Sequence, residues 1–310
     1  MGIDLHGTVN RRRLLRGIAG GVAGFGLLRA AAAADPDVRS VAPGLALLTG
    51  HGGNVLVYET QAGKVLVDSG AAASSKVLLK VLSDLPGGPV HVLLNTHWHP
   101  DQVGSNEALG STGTTILAHA KTRQRLSTGY YVPDQDRYEP PLAAAGRPTE
   151  SFHTDGSTIV GGRRIEYGYL LEAHTDGDLY VFFPEVNVVA VGDAVSPERD
   201  PVLDWFGGGW LGGRLDAFAR LLEIGDADTR FVPSYGPAVG RDALVAEQAV
   251  MQNLYDILFE HVRRGETAAD MLELGLADGL GRTFDDPAKL LYDAHKGFWA
   301  HHNALSHDIV

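Results

Sequence analysis

Cysteine is missing from all 310 residues. Its absence excludes disulfides and thiolate metal ligands, so any metal has to be held by imidazole and oxygen donors. A long apolar run is missing too. The best candidate, Gly17 to Leu28, falls well short of the roughly 20 residues that span a bilayer and consists mostly of Gly and Ala. Positive charge is scarce: 26 Lys and Arg stand against 38 Asp and Glu, a net charge of -12, and most of the basic clustering is at the N-terminus. Contacts to phosphates need clustered Lys and Arg, so nucleic acid is not an expected partner.

The N-terminus carries its own pattern. Asn10-Arg11-Arg12-Arg13-Leu14-Leu15-Arg16 precedes the Gly-rich apolar run, followed by Arg29 and an alanine tract ending at Ala34. A basic region, a moderately apolar region and an A-x-A site make a cleavable signal over residues 1–34. Paired arginines directly before two leucines resemble a twin-arginine export signal, which implies a periplasmic protein starting at Asp35. The segment holds five arginines and one acid, so its removal leaves a still more acidic chain, with no membrane attachment expected.

Beyond it, short β runs fit Leu45-Thr49, Asn54-Thr60 and Lys64-Asp68, separated by glycines. The period then changes. Ser74 to Asp84 reads as a helix with Val77, Leu78, Val81, Leu82 and Leu85 on one side, and Val90-Leu94 as a buried strand. Further strands fit Thr115-Ala118, Arg164-Leu171, Leu179-Phe183, Val186-Val191 and Arg230-Val232, with helices near Leu215-Ile224, Asp242-Arg264 and Lys289-Trp299. This is a single α/β domain over residues 35–310, with a helical extension from about residue 241. Ser127 to Thr149 has no clean period and reads either as a lid or binding loop or as a disordered insertion.

Chemistry-bearing side chains concentrate in Thr96-His97-Trp98-His99-Pro100-Asp101-Gln102. Two histidines separated by one residue, in a turn after a buried strand, can direct both imidazoles at one ion, with Asp101 near enough to add an oxygen. The H-x-H spacing alone also occurs by accident. The wider pattern decides.

Gly53-Asn54, Val67-Asp68-Ser69-Gly70, the H-x-H-x-D loop, Ala173-His174-Thr175-Asp176-Gly177-Asp178, Gly192-Asp193 and Pro233-Ser234-Tyr235-Gly236 occur in this order. The chain thereby resembles the metallo-β-lactamase-fold hydrolases from about Val41 to Gly240. The resemblance implies a four-layer αββα sandwich with additional C-terminal helices and a metal site on loops at one edge. It makes His97, His99 and His174 the ligands of a first metal, expected to be Zn2+, which lowers the pKa of bound water to about 7. Asp101 matches a second-metal ligand that also orients water, Asp193 a carboxylate that bridges two ions, and Asp68 a buried buttress of the histidine loop.

Two positions depart from the family pattern. Gln102 and Tyr235 stand where it has second-site histidines. One ion is therefore expected, and a second site, if formed, would suit a harder ion such as iron or manganese. Tyr235 reads either as a catalytic hydrogen-bond or proton donor whose pKa a nearby cation would depress, or as a packing residue. Trp205, Phe206 and Trp210, with Tyr130, Tyr131 and Tyr138, suggest an apolar or aromatic small-molecule substrate. Trp98 is expected to pack locally, and the C-terminal His295, His301, His302 and His307 to lie on the surface. Two function classes follow: an exported hydrolase of esters, lactones, thioesters or amides, or a divergent lyase, isomerase or carrier that no longer hydrolyses.

Overall fold

The computed structural model describes residues 37–132 and 136–305. The expected signal segment lies outside the described residues. Strands β1 (Asp37–Ala42), β2 (Leu45–Thr49), β3 (Val55–Thr60), β4 (Gly63–Val67), β5 (Val90–Leu94) and β6 (Thr115–His119) form a sheet in that order. After a hairpin of β7 (Tyr130–Val132) and β8 (Arg137–Glu139), β9 (Glu150–Phe152) joins its far edge. The first four strands meander antiparallel, whereas β4, β5, β6 and β9 run parallel. A second sheet follows in the order β10 (Gly156–Val160), β11 (Arg163–Tyr169), β12 (Leu179–Phe183), β13 (Val188–Gly192) and β14 (Arg230–Pro233).

Side-chain alternation explains why the sheets stack. Successive residues of a strand point to opposite faces, and here both faces are apolar. In β3, Leu56 and Tyr58 enter the core between the sheets, whereas Val55 and Val57 face the helix layer. In β13, Val188 and Ala190 face the same inter-sheet core, and Val189 and Val191 face the opposite helices. Strands buried on both faces need a helical layer on each side. The result is the expected αββα sandwich.

Helix α1 (Ser75–Asp84) covers the first sheet with Leu78 and Leu82, each contributing roughly 1.5–3 kcal/mol on burial. Val77, expected on that side, is instead exposed, because the stripe that touches the sheet is narrow. Short helices α2 (Pro100–Val103) and α3 (Asn106–Gly110) and a fuller one, α4 (Ala120–Thr128), follow in the first half. Helices α5 (Leu211–Leu221), α6 (Arg241–Arg263), α7 (Ala268–Glu273) and α8 (Pro287–Leu305) cover the second sheet. Their shared core includes Phe218, Met251, Met271 and Phe298. None of the described helices is long and apolar enough to cross a membrane.

One helix boundary is corrected by packing. Helix α5 starts at Leu211 rather than Leu215, through Gly212 and Gly213, because any Cβ at Gly213 would lie 2.3 Å from the Glu172 carbonyl. Close approach outweighs the poor helix propensity of glycine. The 127–149 segment, read either as a lid or binding loop or as a disordered insertion, contains the β7–β8 hairpin and a 3-10 turn at Ala144–Gly146, whose Gly146 carbonyl accepts from Asn106.

Candidate metal centre

Every site loop leaves the C-terminal end of a strand. Asp68 follows β4 with φ of 62°, and its carboxylate accepts the Thr96 amide at 2.8 Å and the Thr96 hydroxyl at 2.7 Å. The loop after β5 is thereby clamped, the buttressing role expected of Asp68. Gly192, the last residue of β13, approaches the same threonine so closely that a Cβ would lie 3.0 Å from it. Trp98 fills the base of the loop, donating to Asp176 at 3.1 Å and packing edge-on against Tyr130. It packs locally, as expected.

Three imidazoles converge above this base. His97, His99 and His174 offer ligand atoms within 4.8 Å of one another, and among the described residues they form the one group of three or more such side chains that could hold a metal. Their rings stand nearly perpendicular, at 82°, 88° and 84°. Hydrogen bonding assigns the tautomers. The Thr96 hydroxyl spends its proton on Asp68, so at 3.1 Å it accepts from His97 Nδ1 and leaves Nε2 as a lone pair. His174 Nδ1 donates to the Val202 carbonyl at 2.8 Å, and His99 Nε2 donates to Asp204 at 3.0 Å.

The free lone pairs are thus His97 Nε2, His99 Nδ1 and His174 Nε2. The last two lie 3.0 Å apart, and His97 Nε2 is buried without any hydrogen-bond partner. Three converging acceptors with no shared donor fit a cation. Burial holds His97 and His174 well below the usual imidazole range, keeping them neutral as ligation requires. Burial alone would lower His99 as well, but the hydrogen bond and charge of Asp204 outweigh it and raise its pKa.

The carboxylates divide. Asp193 joins the imidazoles, with Oδ2 3.6 Å from His97 Nε2 and 3.9 Å from His174 Nε2. Asp101 lies outside that cluster, on the wall of the neighbouring cavity, and its Oδ2 accepts from Gln102 at 3.0 Å and from the Tyr235 hydroxyl. Burial, then the Asp101 charge, raises the Tyr235 phenol above its ordinary value. In the protein without an ion, Tyr235 keeps its proton and its hydroxyl donates a hydrogen bond to the Asp101 carboxylate.

Several residues carry weight that sequence reasoning missed. Asp204 fixes the His99 tautomer. Asp178 accepts from the His174 and Thr175 amides at 2.5 and 2.7 Å, and burial pushes its carboxyl up to about 7. Arg199 pairs with Asp193 at 3.2 Å and lies 3.6 Å from the Tyr235 ring centroid. Asp178 closes the motif that begins at Ala173 and was open to notice, whereas nothing in spacing points to Arg199.

A cavity of about 230 Å³ opens beside the imidazoles, lined by His99, Asp101, Tyr130, Tyr131, Trp205 and Phe206 among others. Two expected wall residues are elsewhere. Trp210 stacks on His301 at 3.6 Å, and the exposed Tyr138 donates to the Thr128 carbonyl at 2.6 Å. That stacking leaves His301 partly buried rather than on the surface; His302 is exposed and His307 lies outside the described residues.

The layers and the histidine loops define an αββα protein with a candidate metal centre at its strand ends. A family model for the metallo-beta-lactamase superfamily matches residues 48–242. The chain belongs to that superfamily. Among solved structures, a metallo-beta-lactamase from Pontibacter korlensis is similar at 23% identity and a TM-score of 0.59, over 71% of this chain and 100% of that one. DIM-1 metallo-beta-lactamase is similar at 17% identity, TM-score 0.56, over 70% and 97%. A stereoselective inverting sec-alkylsulfatase from Pseudomonas sp. matches at 14% identity, TM-score 0.65, over 89% of this chain but 52% of its own. The chain thus spans about half of that enzyme's length, and the match is too long to end at residue 242, so it includes part of the C-terminal helices.

Proposed function

We propose that the protein is a metal-dependent hydrolase acting on an ester, lactone, thioester or amide of a small apolar or aromatic molecule. The observation that carries this reading is the convergence of three imidazole lone pairs, each fixed by a hydrogen bond at the other ring nitrogen, beside an aromatic-walled cavity. His97, His99 and His174 would hold the ion, with Asp193 next to them, and zinc suits a nitrogen-rich set. A bound divalent ion would polarise the scissile carbonyl and acidify water.

The chain's own residues supply the rest. Trp205, Phe206, Tyr130 and Tyr131 bind the apolar body of the substrate and exclude water. Asp101, on the cavity wall, takes the proton of the attacking water, and Tyr235 holds the proton at its phenol oxygen for the departing group. Elemental analysis of purified protein should find about one metal per chain, and His97→Ala or His174→Ala should remove most of it. Full retention in both variants would sink the assignment. Metal-stripped protein serves as the control in an ester, lactone, thioester and amide screen.

Gln102 and Tyr235 favour a second reading, a divergent lyase, isomerase or carrier. Metal binding without hydrolysis of any substrate in that screen would support it. Export by the twin-arginine route to the periplasm rests on the N-terminal arginines, and replacing Arg11, Arg12 and Arg13 by lysine should leave the precursor in the cytoplasm.

A further inference from the structure

The residues that the resemblance assigns to a second ion are already committed to one another. Gln102 and Tyr235 both donate to Asp101 Oδ2, and Asp193 accepts from Arg199. Arg199 also lies 3.6 Å from the centroid of the Tyr235 ring, within cation–π reach. A guanidinium therefore stands between Asp193 and Tyr235, two of the positions that would have flanked the ion. The donor set does not fit a second metal. An incoming divalent ion would meet a fixed like charge that cannot be deprotonated, and would have to break both contacts.

From this geometry we infer that Arg199 is the built-in second cation of the centre, excluding a second metal and neutralising Asp193 in its place. The placement of Arg199 is itself built. Its carbonyl accepts from Arg282 Nη2 at 2.7 Å, and the Ser196 carbonyl accepts from Arg282 Nη1 at 3.0 Å. One residue on, the Asp200 carboxylate accepts the amides of Asp285 and Asp286 at 3.0 and 2.7 Å. Below the loop, Arg214 donates to the Asp193 carbonyl at 2.8 Å and pairs with Glu247, whose carboxylate holds the Ser196 amide. Apart from Arg214, these supports all lie beyond residue 242, outside the family match. The C-terminal extension, chiefly the connection between α7 and α8 with Glu247 of α6, thus holds the segment that carries the guanidinium.

The inference rests on the three-imidazole reading above, and one experiment separates their failures. Four proteins are loaded with excess zinc, desalted and measured by elemental analysis, with circular dichroism as the folding control. They are the wild type, Arg199→Gln, the double variant Gln102→His with Tyr235→His, and the combination of all three changes. The wild type and the double variant should each hold about one zinc, because restored imidazoles still face the guanidinium, while the combined variant should approach two. Two zinc ions in the wild type or in the double variant would overturn the inference. So would a folded combined variant that stays at one. A wild type holding none would sink the three-imidazole reading instead. The wild-type value stands as a test even if the combined variant fails to fold. Arg199→Gln alone should hold about one zinc, since Gln102 and Tyr235 still offer no imidazole, and two would refute that account.

Discussion

The two halves of the metal centre satisfy their polar groups in opposite ways. On the imidazole side each ring has one nitrogen tied to the protein and the other left as a lone pair, with His97 Nε2 buried and unpartnered. On the carboxylate side Asp101, the Gln102 amide nitrogen, Tyr235, Arg199 and Asp193 partner one another, and of their acceptors only Gln102 Oε1 is left buried without a donor. A buried acceptor without a donor costs free energy until something fills the gap. The first half is thus poised for a cation, whereas the second already contains one. The difference locates the ion more sharply than a count of potential ligands would.

Breaking the support beneath the carboxylate half should have the largest effect. The Arg214–Glu247 pair is buried, with side chains 0% and 2% exposed, and spans α5 and α6. Removing one partner leaves an uncompensated charge, so Glu247→Ala should lose about 3–5 kcal/mol in urea unfolding. A loss within about 1 kcal/mol would mean that water replaces the pair and the Asp193 segment needs no such support.

Chemistry should separate from ligation at Tyr235. Tyr235→Phe should lower kcat by about a hundredfold, the lower range for losing a proton donor, while metal content stays at the wild-type value. If turnover is unchanged and the fold intact, the phenol only fills space beside Arg199. The reverse pattern is expected at Asp204, which orients His99. Asp204→Asn should weaken metal affinity about 10–100-fold, measured by chelator competition. Affinity equal to wild type would show that the His99 tautomer is set elsewhere.

The smallest effect lies outside both halves and serves as a control on them. His119 stacks on Tyr169 at 3.8 Å, and burial lowers its pKa below the usual imidazole value. A lowered folded-state pKa means that the fold prefers neutral imidazole. Stability is therefore lost as pH falls below the unfolded value near 6.5, and the loss grows until the folded pKa is passed. His119→Phe should lose less stability than wild type between pH 8 and pH 5, a difference of about 1 kcal/mol or less. Identical pH profiles would place the acid sensitivity in other groups.

Much of the fold is legible along the chain. Leu56 and Tyr58 against Val55 and Val57 show how alternation with apolar residues on both faces marks a strand between two layers, and such signals are local. The histidine loop is legible for the same reason, since His97, His99 and Asp101 sit within five residues at the end of one strand. The resemblance adds His174, Asp193 and Asp68 in their order along the chain. The β7–β8 hairpin and the early start of α5 are not legible, because weak local propensity is overridden there by close packing at Gly213 and by pairing of three-residue strands.

The sequence by itself determined the layers and the residue types at the imidazole centre, because periodicity and short motifs act over a few neighbours. Tertiary structure alone decided which groups those residues meet. Asp204 reaches His99 from 105 positions away, Tyr235 reaches Asp101 from 134, and Arg282 holds the Arg199 segment from 83. Arg199, only six residues after Asp193, gives no periodic or motif signal at all. Its place as a cation in the site comes from a loop path set by contacts on the far side of the fold, and no pattern along the chain encodes that path.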